Sequence, residues 1–290
     1  QIFRPPALPA APSGLITMTM PELPEVESVR RTLMPGILDR QVAEVVAPPS
    51  RVVRPDLESF RRGLVGRRVN GSLRRGKLLV LTLDDGSYWA VHLGMTGQLI
   101  LAPGELAANH VHARVLFNDD GPSLHYRDLR KFGYLAYYAD QDELMAGLYG
   151  QMGPDALTIA AERFVARLAG RKSPIKSLRL DQRRLAGVGN IYADESLHRA
   201  GIDPNRRPVD LSPDELLRLH AALRETLDEA LAQGGSSVKN FVDAEGRAGT
   251  FQEAHRVYRR TGQPCPACGA LVERTVLGGR STHFCPCCQH

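Results

Sequence analysis

The segment Cys265-Pro-Ala-Cys268, GALVERTVLGGRSTHF, Cys285-Pro-Cys-Cys288 contains all five cysteines of the 290-residue chain. Two Cys-x₂-Cys pairs separated by sixteen residues have the spacing of two knuckles that offer four thiolates to a tetrahedral zinc ion. The residues between the pairs have too little apolar content to fold without a metal. The sequence therefore predicts a C-terminal zinc ribbon with one structural zinc ion, and the alternative is a set of reduced thiols without metal.

The zinc ligands are predicted from the same spacing. Cys287 competes with Cys288 for the last position or remains a free thiol, and we favour Cys288 because its spacing repeats that of the first pair. The expected ligands are Cys265, Cys268, Cys285 and Cys288. We expect the strands of the ribbon at residues 255–258, 271–275 and 283–284.

The segment that precedes the ribbon has a helical pattern. Ser212-Pro213-Asp214-Glu215 combines an N-cap, a proline at the first helical position and a glutamate three residues after the cap. Gly234-Gly235 ends the pattern, so residues 213–233 are predicted to form a helix. An earlier helix is predicted from Asn190 to the neighbourhood of Gly201.

The N-terminal half has the pattern of a β-sandwich. Val26, Val29 and Leu33 fall on one face of a first helix, which we expect to cover the sandwich. Short strands with Gly and Asp turns follow it. They are expected at residues 78–83, 88–93, 98–101, 113–117, 123–126 and 133–138. The predicted fold class is α+β, with a β-sandwich flanked by helices, a helical module and a zinc ribbon. The predicted domains are residues 21–148, 149–250 and 251–290.

The charge distribution indicates a polyanionic partner. The net charge is +5, and the stretch from Arg61 to Lys77 carries seven basic residues and no acidic ones. Such a run is either a solvated face or part of a phosphate-binding surface. No apolar run approaches the roughly 20 residues that span a bilayer, so we expect no membrane partner.

The junction after Met20 carries a candidate nucleophile. Methionine removal at Met20-Pro21 would leave a secondary amine, and an α-amine titrates near 7.7 to 8. Roughly a tenth or more of it is therefore neutral at pH 7, and its attack on a sugar aldehyde carbon gives an iminium. The alternative is that Pro21 and Pro24 only fix the turn before the helix.

Residues 1–20 are rich in Pro and Ala and lack the long apolar run of a signal peptide. We interpret them as a disordered leader, an upstream over-extension or the remnant of a tag. While they remain attached, the nitrogen of Pro21 is an amide and is not nucleophilic.

Two further motifs indicate phosphate binding. Gly187-Val-Gly-Asn190 precedes a predicted helix, where free backbone N–H groups and the helix dipole attract an anion. Gly278-Gly279-Arg280 lies between the cysteine pairs, and arginine binds phosphate through two parallel hydrogen bonds. Taken alone, a Gly-x-Gly motif is usually only a turn, and Arg280 is equally compatible with an exposed arginine on a hairpin.

Six motifs together resemble the bacterial formamidopyrimidine-DNA glycosylases over residues 21–290. They are PELPEVE from Pro21, Lys77, HLGMTG from His92, DLRKFG from Asp128, GVGNIY from Gly187, and the four-cysteine ribbon with Arg280. The resemblance implies a DNA glycosylase and abasic-site lyase that needs no cofactor for catalysis. Its substrates would be oxidised purines in duplex DNA, namely 8-oxoguanine opposite cytosine and ring-opened formamidopyrimidines. We expect a monomer in the bacterial cytosol.

The resemblance also assigns roles to individual residues. Pro21 would attack C1′ of the damaged nucleoside, and the proton donors would be Glu22, Lys77 and Arg280. The expected DNA-binding residues are His92, Met95, Arg130, Phe132, Lys176, Asn190, Tyr258 and Arg280. Reaching C1′ requires extrusion of the nucleotide, which costs a few kcal/mol and leaves a gap that apolar side chains can fill. The alternative for Met95 and Phe132 is ordinary core packing.

Two other interpretations remain at this point. One is an endonuclease eight-like enzyme for oxidised pyrimidines, against which Leu23 and the glycine-containing loop at 234–253 argue, since that loop resembles the purine-lesion capping loop. The other is a non-catalytic zinc-ribbon DNA-binding protein, which leaves the combination of Pro21, Glu22 and Lys77 unexplained.

Overall fold

The computed structural model describes residues 20–238 and 240–290. The interpretation of the first twenty residues as a leader therefore concerns residues that, apart from Met20, lie outside the described part of the chain. Two β-sheets form the N-terminal region and helices form the middle region. A two-stranded ribbon forms the C-terminal region. The predicted α+β class is confirmed.

The N-terminal region contains a five-stranded and a four-stranded sheet, with strand orders β2-β9-β5-β4-β3 and β1-β7-β8-β6. All pairs in these sheets are antiparallel except β2 with β9. The strands are β1 (Val42–Val46), β2 (Val53–Arg54), β3 (Val69–Arg75), β4 (Leu78–Leu83), β5 (Tyr88–His92), β6 (Gly97–Ala102), β7 (Val111–Phe117), β8 (Ser123–Asp128) and β9 (Tyr134–Tyr138). The six predicted strands are present, with ends that differ by at most two residues.

Two helices, α1 (Leu23–Ile37) and α2 (Leu57–Leu64), close the core of the sandwich. Val26, Val29 and Leu33 are at most 1% exposed and belong to one apolar cluster with both sheets. The predicted packing of the first helix is therefore confirmed. This packing fixes the start of the helix, and with it the candidate nucleophile, against the sheets.

Among the described residues, five α-helices follow the sandwich. They are α3 (Gln141–Gly147), α4 (Ala161–Leu168), α5 (Ile175–Leu180), α6 (Asn190–Ala200) and α7 (Pro213–Ala232). The first of them, α3, packs on the five-stranded sheet of the sandwich. The capping box of α7 is present, because Ser212 Oγ accepts the Glu215 amide at 3.1 Å and Glu215 accepts the Ser212 amide at 2.8 Å. Gly201 ends α6 in the left-handed conformation at φ 69°, as its position in the sequence predicted.

The C-terminal hairpin pairs β10 (Glu273–Leu277) with β11 (Arg280–Phe284). The strand predicted at 255–258 is wrong. There the amides of Arg256, Val257 and Tyr258 all donate to the carboxylate of Glu195, at 2.7 to 3.0 Å. Since these donors are taken by a side chain, they cannot enter a β-ladder.

Candidate active site and DNA interface

Pro21 is buried in the wall of a pocket between the N-terminal sheets and the loop that follows α7. The pocket holds about 600 Å³ of empty space including its open mouth, and its walls include Glu25, Met95, Ser236 and Phe241. The loop is hydrogen-bonded to the sandwich, since Leu101 N donates to Ala244 O at 2.8 Å and the Gln98 side chain donates to the Asn240 carbonyl. The loop therefore covers the pocket, although its residue 239 lies outside the described residues.

Glu25 joins the three parts of this pocket, and sequence reasoning missed it. Its carboxylate accepts the Tyr192 hydroxyl at 2.5 Å, the Ser236 amide at 2.7 Å and the Glu22 amide at 2.8 Å. Burial raises the pKa of Glu25, and the three donors oppose that rise. The only available signal was its place three residues after Glu22, which is the acidic position of a capping box.

Glu22 lies next to the candidate nucleophile and reaches the amino end of α6. Its carboxylate accepts the Gly189 amide at 2.7 Å and the Ile191 amide at 3.0 Å. A Cβ at Gly189 would lie 2.3 Å from the Glu22 carboxyl carbon, so only glycine allows this approach. Two backbone amides at the start of α6, where the sequence predicts phosphate binding, are therefore already bound to the Glu22 carboxylate.

The same position makes Glu22 suited to proton transfer. Burial raises its pKa to about 7, and nearby Lys77 limits the rise. A carboxyl group that titrates near the working pH can both donate and accept a proton.

Lys77 is 8% exposed and forms, with Gly76, the tight turn between β3 and β4. Burial lowers its pKa, Glu22 and Glu25 oppose this, and Arg280 lowers it further. The turn is fixed from below, because the Gly76 amide donates to Asp155 Oδ2 at 2.6 Å. Lys77 is therefore a buried amine close to both the carboxylate pair and the arginine of the ribbon.

The other charges of the basic run are mostly engaged by protein. Arg74 is paired with Glu27 at 3.0 Å and with Asp155 at 2.6 Å, and Arg75 donates to the Met152 carbonyl at 2.8 Å. These residues hold β3 against the first helix and the middle region. These two arginines therefore have a structural role that the sequence did not predict.

His92 is held as a neutral donor. Its Nδ1 accepts the Gly94 amide at 3.1 Å, and its ring stacks on Tyr134 at 5.3 Å. Burial lowers its pKa to about 4, and the charges of Lys77 and Arg54 add to this effect. The proton of the neutral ring therefore lies on Nε2, where it can be donated to an acceptor such as a phosphate oxygen.

The structure brings the three predicted gap-filling residues together. Arg130 Nη1 is 3.5 Å from Met95 Sδ, and its guanidinium carbon lies 4.4 Å from the centroid of the Phe132 ring. Phe132 is 48% exposed, which is unusual for ordinary core packing. The fully buried Asp128 anchors this loop, since it accepts the amides of Arg130 at 3.1 Å and Gly133 at 2.8 Å.

Arg280 and Asn190 lie at one junction. Asn190 Nδ2 donates to the carbonyl of Ser281 at 2.8 Å, which ties the start of α6 to the strand that begins at Arg280. Gly278 and Gly279 have φ values of 55° and 73°, which a two-residue hairpin turn requires. The exposed Arg280 is thus carried by a short, well-defined turn.

Two predicted DNA-binding residues lie behind this junction. Lys176 is fully buried, and its Nζ donates to the Ser281 carbonyl at 2.7 Å and pairs with Asp194 at 2.7 Å. Tyr258 is 2% exposed and packs edge-on against His283 at 5.1 Å. In this structure both support the hairpin from beneath, and their contact with DNA stays a prediction.

The sulfur atoms of Cys265, Cys268, Cys285 and Cys288 lie within 4.8 Å of one another. A tetrahedron with zinc–sulfur bonds of about 2.3 Å has sulfurs about 3.8 Å apart. The sulfurs of Cys265 and Cys288 are 3.9 Å apart and those of Cys268 and Cys285 are 3.4 Å apart, which is close to that spacing. Cys287 is exposed and lies outside this cluster.

Comparison with known families finds three matches along the chain. The formamidopyrimidine-DNA glycosylase N-terminal domain matches residues 20–135, the H2TH domain of that enzyme matches 152–242, and the zinc finger found in FPG and IleRS matches 262–290. The chain belongs to the formamidopyrimidine-DNA glycosylase family. The predicted family and the structural zinc ribbon are confirmed.

Formamidopyrimidine-DNA glycosylases of several bacteria are similar over most of their length. The enzyme of Solibacter usitatus is 43% identical, over 93% of this chain and 99% of its own, and that of Moorella thermoacetica is 48% identical, over 88% and 94%. The crystal structure of the MutM (Fpg) protein from Thermus thermophilus has a TM-score of 0.82 at 42% identity, covering 93% and 98% of the two chains. A Lactococcus lactis FPG mutant in complex with Fapy-dG containing DNA has a TM-score of 0.86 at 34% identity, covering 93% and 100%.

None of the helices formed by residues 20–238 and 240–290 combines the length and apolar character that crossing a bilayer demands.

Proposed function

We propose that this protein is a base-excision-repair DNA glycosylase with abasic-site lyase activity, acting on 8-oxoguanine and formamidopyrimidines in duplex DNA. The observation that carries this proposal is the position of Glu22, a buried carboxyl with a pKa raised to about 7, directly after Pro21 and against the start of α6. Solved relatives include complexes with an abasic site containing DNA and with carbocyclic 8-oxo-G containing DNA.

Excision begins with Pro21 as a free secondary amine. Its neutral nitrogen attacks C1′, the bond from C1′ to the base nitrogen breaks, and the base leaves with the proton that the Pro21 nitrogen loses. Glu22 protonates the ring oxygen of the sugar as the ring opens, which leaves an iminium between C1′ and Pro21. The pKa of about 7 lets Glu22 carry that proton near neutral pH.

Strand cleavage follows from the iminium. It makes the C2′ proton acidic; the Glu22 carboxylate, left after ring opening, takes that proton, and the bond between C3′ and the 3′ phosphate oxygen breaks. A second elimination breaks the bond to the 5′ phosphate. Lys77 and Arg280 are the proton donors for these two steps, and Lys77 is buried beside Glu22 and within electrostatic reach of Arg280.

DNA binding uses the faces around the pocket. His92, Asn190 and Arg280 contact phosphates near the lesion. Met95 and Phe132 fill the gap that the extruded nucleotide leaves, and Arg130 faces the unpaired cytosine. Lys176 and Tyr258 act with this set from beneath the hairpin.

The remaining assignments complete the proposal. The domains are residues 21–148, 149–250 and 251–290, and the zinc ligands are Cys265, Cys268, Cys285 and Cys288. The protein works as a monomer in the bacterial cytosol, where its DNA substrate is found.

The test is borohydride trapping on duplexes that carry 8-oxoguanine opposite cytosine, with chains that begin at Gln1 and at Pro21. We expect a cross-link on Pro21, located by mass spectrometry, only for the shorter chain. Acetylation of the Pro21 nitrogen in the shorter chain should abolish it, whereas Glu58→Gln, at an exposed site, should not.

No cross-link from either chain, with duplex binding intact, would show a DNA-binding protein without this chemistry. A duplex that carries an oxidised pyrimidine serves as the second substrate. Faster excision from that duplex would contradict the proposed purine preference.

A further inference from the structure

Helix α6 presents a polar face to the zinc ribbon. Asp194 accepts the His283 amide at 3.0 Å, and Glu195 accepts the three amides that precede the first cysteine pair. One turn further along, His198 reaches the metal-binding cluster itself. The helix that begins at Asn190 is therefore attached to the ribbon at three levels.

His198 is 5% exposed, and its Nε2 lies 3.3 Å from the sulfur of Cys265. A thiolate bound to zinc carries no proton, so a hydrogen bond between these atoms requires the hydrogen to be on Nε2. The other ring nitrogen, Nδ1, is buried and has no hydrogen-bond partner among the described residues. The sulfur is thus the partner that orients this ring.

His198 is outside the set of metal ligands. The ligand atoms that lie within 4.8 Å of one another are the four cysteine sulfurs alone, among the residues that the structure describes. Those four sulfurs already fill a tetrahedral zinc site. A nitrogen at hydrogen-bond distance from one of them therefore acts on the ligand and not on the metal.

We propose that His198 donates a hydrogen bond to the zinc-bound sulfur of Cys265 and thereby fixes the metal site to helix α6. This inference rests on the proposed zinc ligands and goes beyond the proposed excision chemistry. Hydrogen bonds to metal ligands orient them and tune the metal, and their loss typically costs 10- to 100-fold in metal affinity. His198 is a positioning residue, since it touches neither substrate nor metal.

The consequence reaches the active site through the helix. His198 and Asn190 lie eight residues apart on α6, about 12 Å along a helix that rises 1.5 Å per residue. Asn190 holds Ser281, next to Arg280, and the Ile191 amide binds Glu22. Helix α6 therefore contacts the metal site at one end and Glu22 and the strand of Arg280 at the other. In this way it fixes the position of the ribbon relative to the proton donors.

The experiment compares the full chain with His198→Phe, which removes the donor, and His198→Gln, which offers another N–H donor. The matched control is His220→Phe, because His220 Nε2 bonds a carbonyl oxygen, that of Ile159, at 2.9 Å. The first readout is the rate of zinc release to a chromogenic chelator. The second is the energy of the sulfur-to-metal charge-transfer band after substitution with Co²⁺, which reports the hydrogen bond to sulfur directly.

We expect His198→Phe to release zinc about 10- to 100-fold faster and to move the charge-transfer band to lower energy. His198→Gln should recover part of both effects, and His220→Phe should match the parent. Equal release rates and equal bands in the parent and His198→Phe would overturn the proposal, as would a parent that binds no zinc. Excision activity is measured separately, so an enzyme that fails to cut DNA but shows these shifts refutes the proposed function alone.

Discussion

The sandwich and the ribbon are held together by different forces. In the sandwich, one continuous apolar cluster joins both sheets to α1 and includes Val26, Leu33, Trp89 and Val115. In the ribbon, the corresponding cluster consists of two valines and the sulfurs of two zinc-binding cysteines. The sandwich is therefore stabilised by burial of apolar surface, and the ribbon by its metal and its polar contacts with α6.

This difference divides the candidate site in two. The residues proposed to fill the gap in the DNA belong to the sandwich, and we expect them to keep their positions without zinc. Arg280 belongs to the ribbon, so its distance from Lys77 and Glu22 depends on the metal. One half of the candidate site is thus held in place by apolar packing in the sandwich. The other half, which contains Arg280, is held in place by metal coordination and hydrogen bonds.

The largest effect should follow from Cys285→Ser, which removes a zinc ligand. A structural zinc site contributes about 10–16 kcal/mol of folding free energy, far more than two buried valines can replace. We expect complete loss of zinc and of tight DNA binding, with an intact sandwich. The single tryptophan, Trp89, is 0% exposed in the sandwich, so its fluorescence reports that region alone.

The control for this change is Cys287→Ser, which should keep the metal because Cys287 lies outside the sulfur cluster. Metal content and limited proteolysis give the outcome for the ribbon. Joint loss of the tryptophan signal and the zinc in Cys285→Ser would show that the two regions fold as one unit, and would contradict a separate stabilisation of the sandwich and the ribbon.

Local patterns predicted much of this architecture. The capping box at Ser212, the apolar face of α1, the strand pair around Gly86 and the cysteine spacing each depend on residues close in sequence, so they are visible without a structure. Strand β3 was missed because of its charged residues, yet Arg74 is paired with Asp155 and Arg75 donates to the Met152 carbonyl, both outside the sandwich. The strand expected at 255–258 failed for a related reason, because Glu195 takes its amides.

The candidate site follows the same rule. The residues with roles implied by the family motifs could be named from the sequence, and the structure places Met95, Arg130 and Phe132 together as a group. Glu25 and His198 could not be found in this way, because each role depends on contacts with residues far away in the chain.

A smaller effect should appear where Glu22, at the start of the N-terminal region, binds α6, the helix to which the ribbon is attached. Its folded pKa of about 7 exceeds the usual 4.5, so the folded state holds the proton more tightly than the unfolded state. The resulting stability is fully present below about pH 4.5 and is lost as the pH rises through about 7. We expect the free energy of unfolding to fall by up to about 3 kcal/mol more between pH 4.5 and 8 in the parent than in Glu22→Gln.

Urea unfolding followed through Trp89 fluorescence measures the free energy of unfolding of both proteins at each pH. Groups other than Glu22 titrate in both proteins, so their contributions cancel in the difference. The exposed Glu58→Gln should follow the parent curve. Parallel pH profiles for the parent and Glu22→Gln would mean that the carboxyl titrates normally, and would remove the reason for assigning it the ring-opening proton.

The smallest effect concerns Arg259, in the segment that connects the Glu195 contact to the ribbon. Its φ of 60° is left-handed, a conformation that costs a side-chain-bearing residue about 1–2 kcal/mol and glycine almost nothing. Arg259→Gly and Arg259→Ala lose the same charge, but only the alanine keeps the strain. We therefore expect the glycine variant to be more stable than the alanine variant by about 1 kcal/mol, less the extra entropy of glycine in the unfolded chain.

Because the ribbon depends on its attachment to α6, this difference should be seen in the thermal unfolding of the zinc-loaded ribbon and not in the Trp89 signal. An alanine variant at least as stable as the glycine variant would show that the left-handed turn is not strained, and that the polar contacts of Glu195 alone hold the segment.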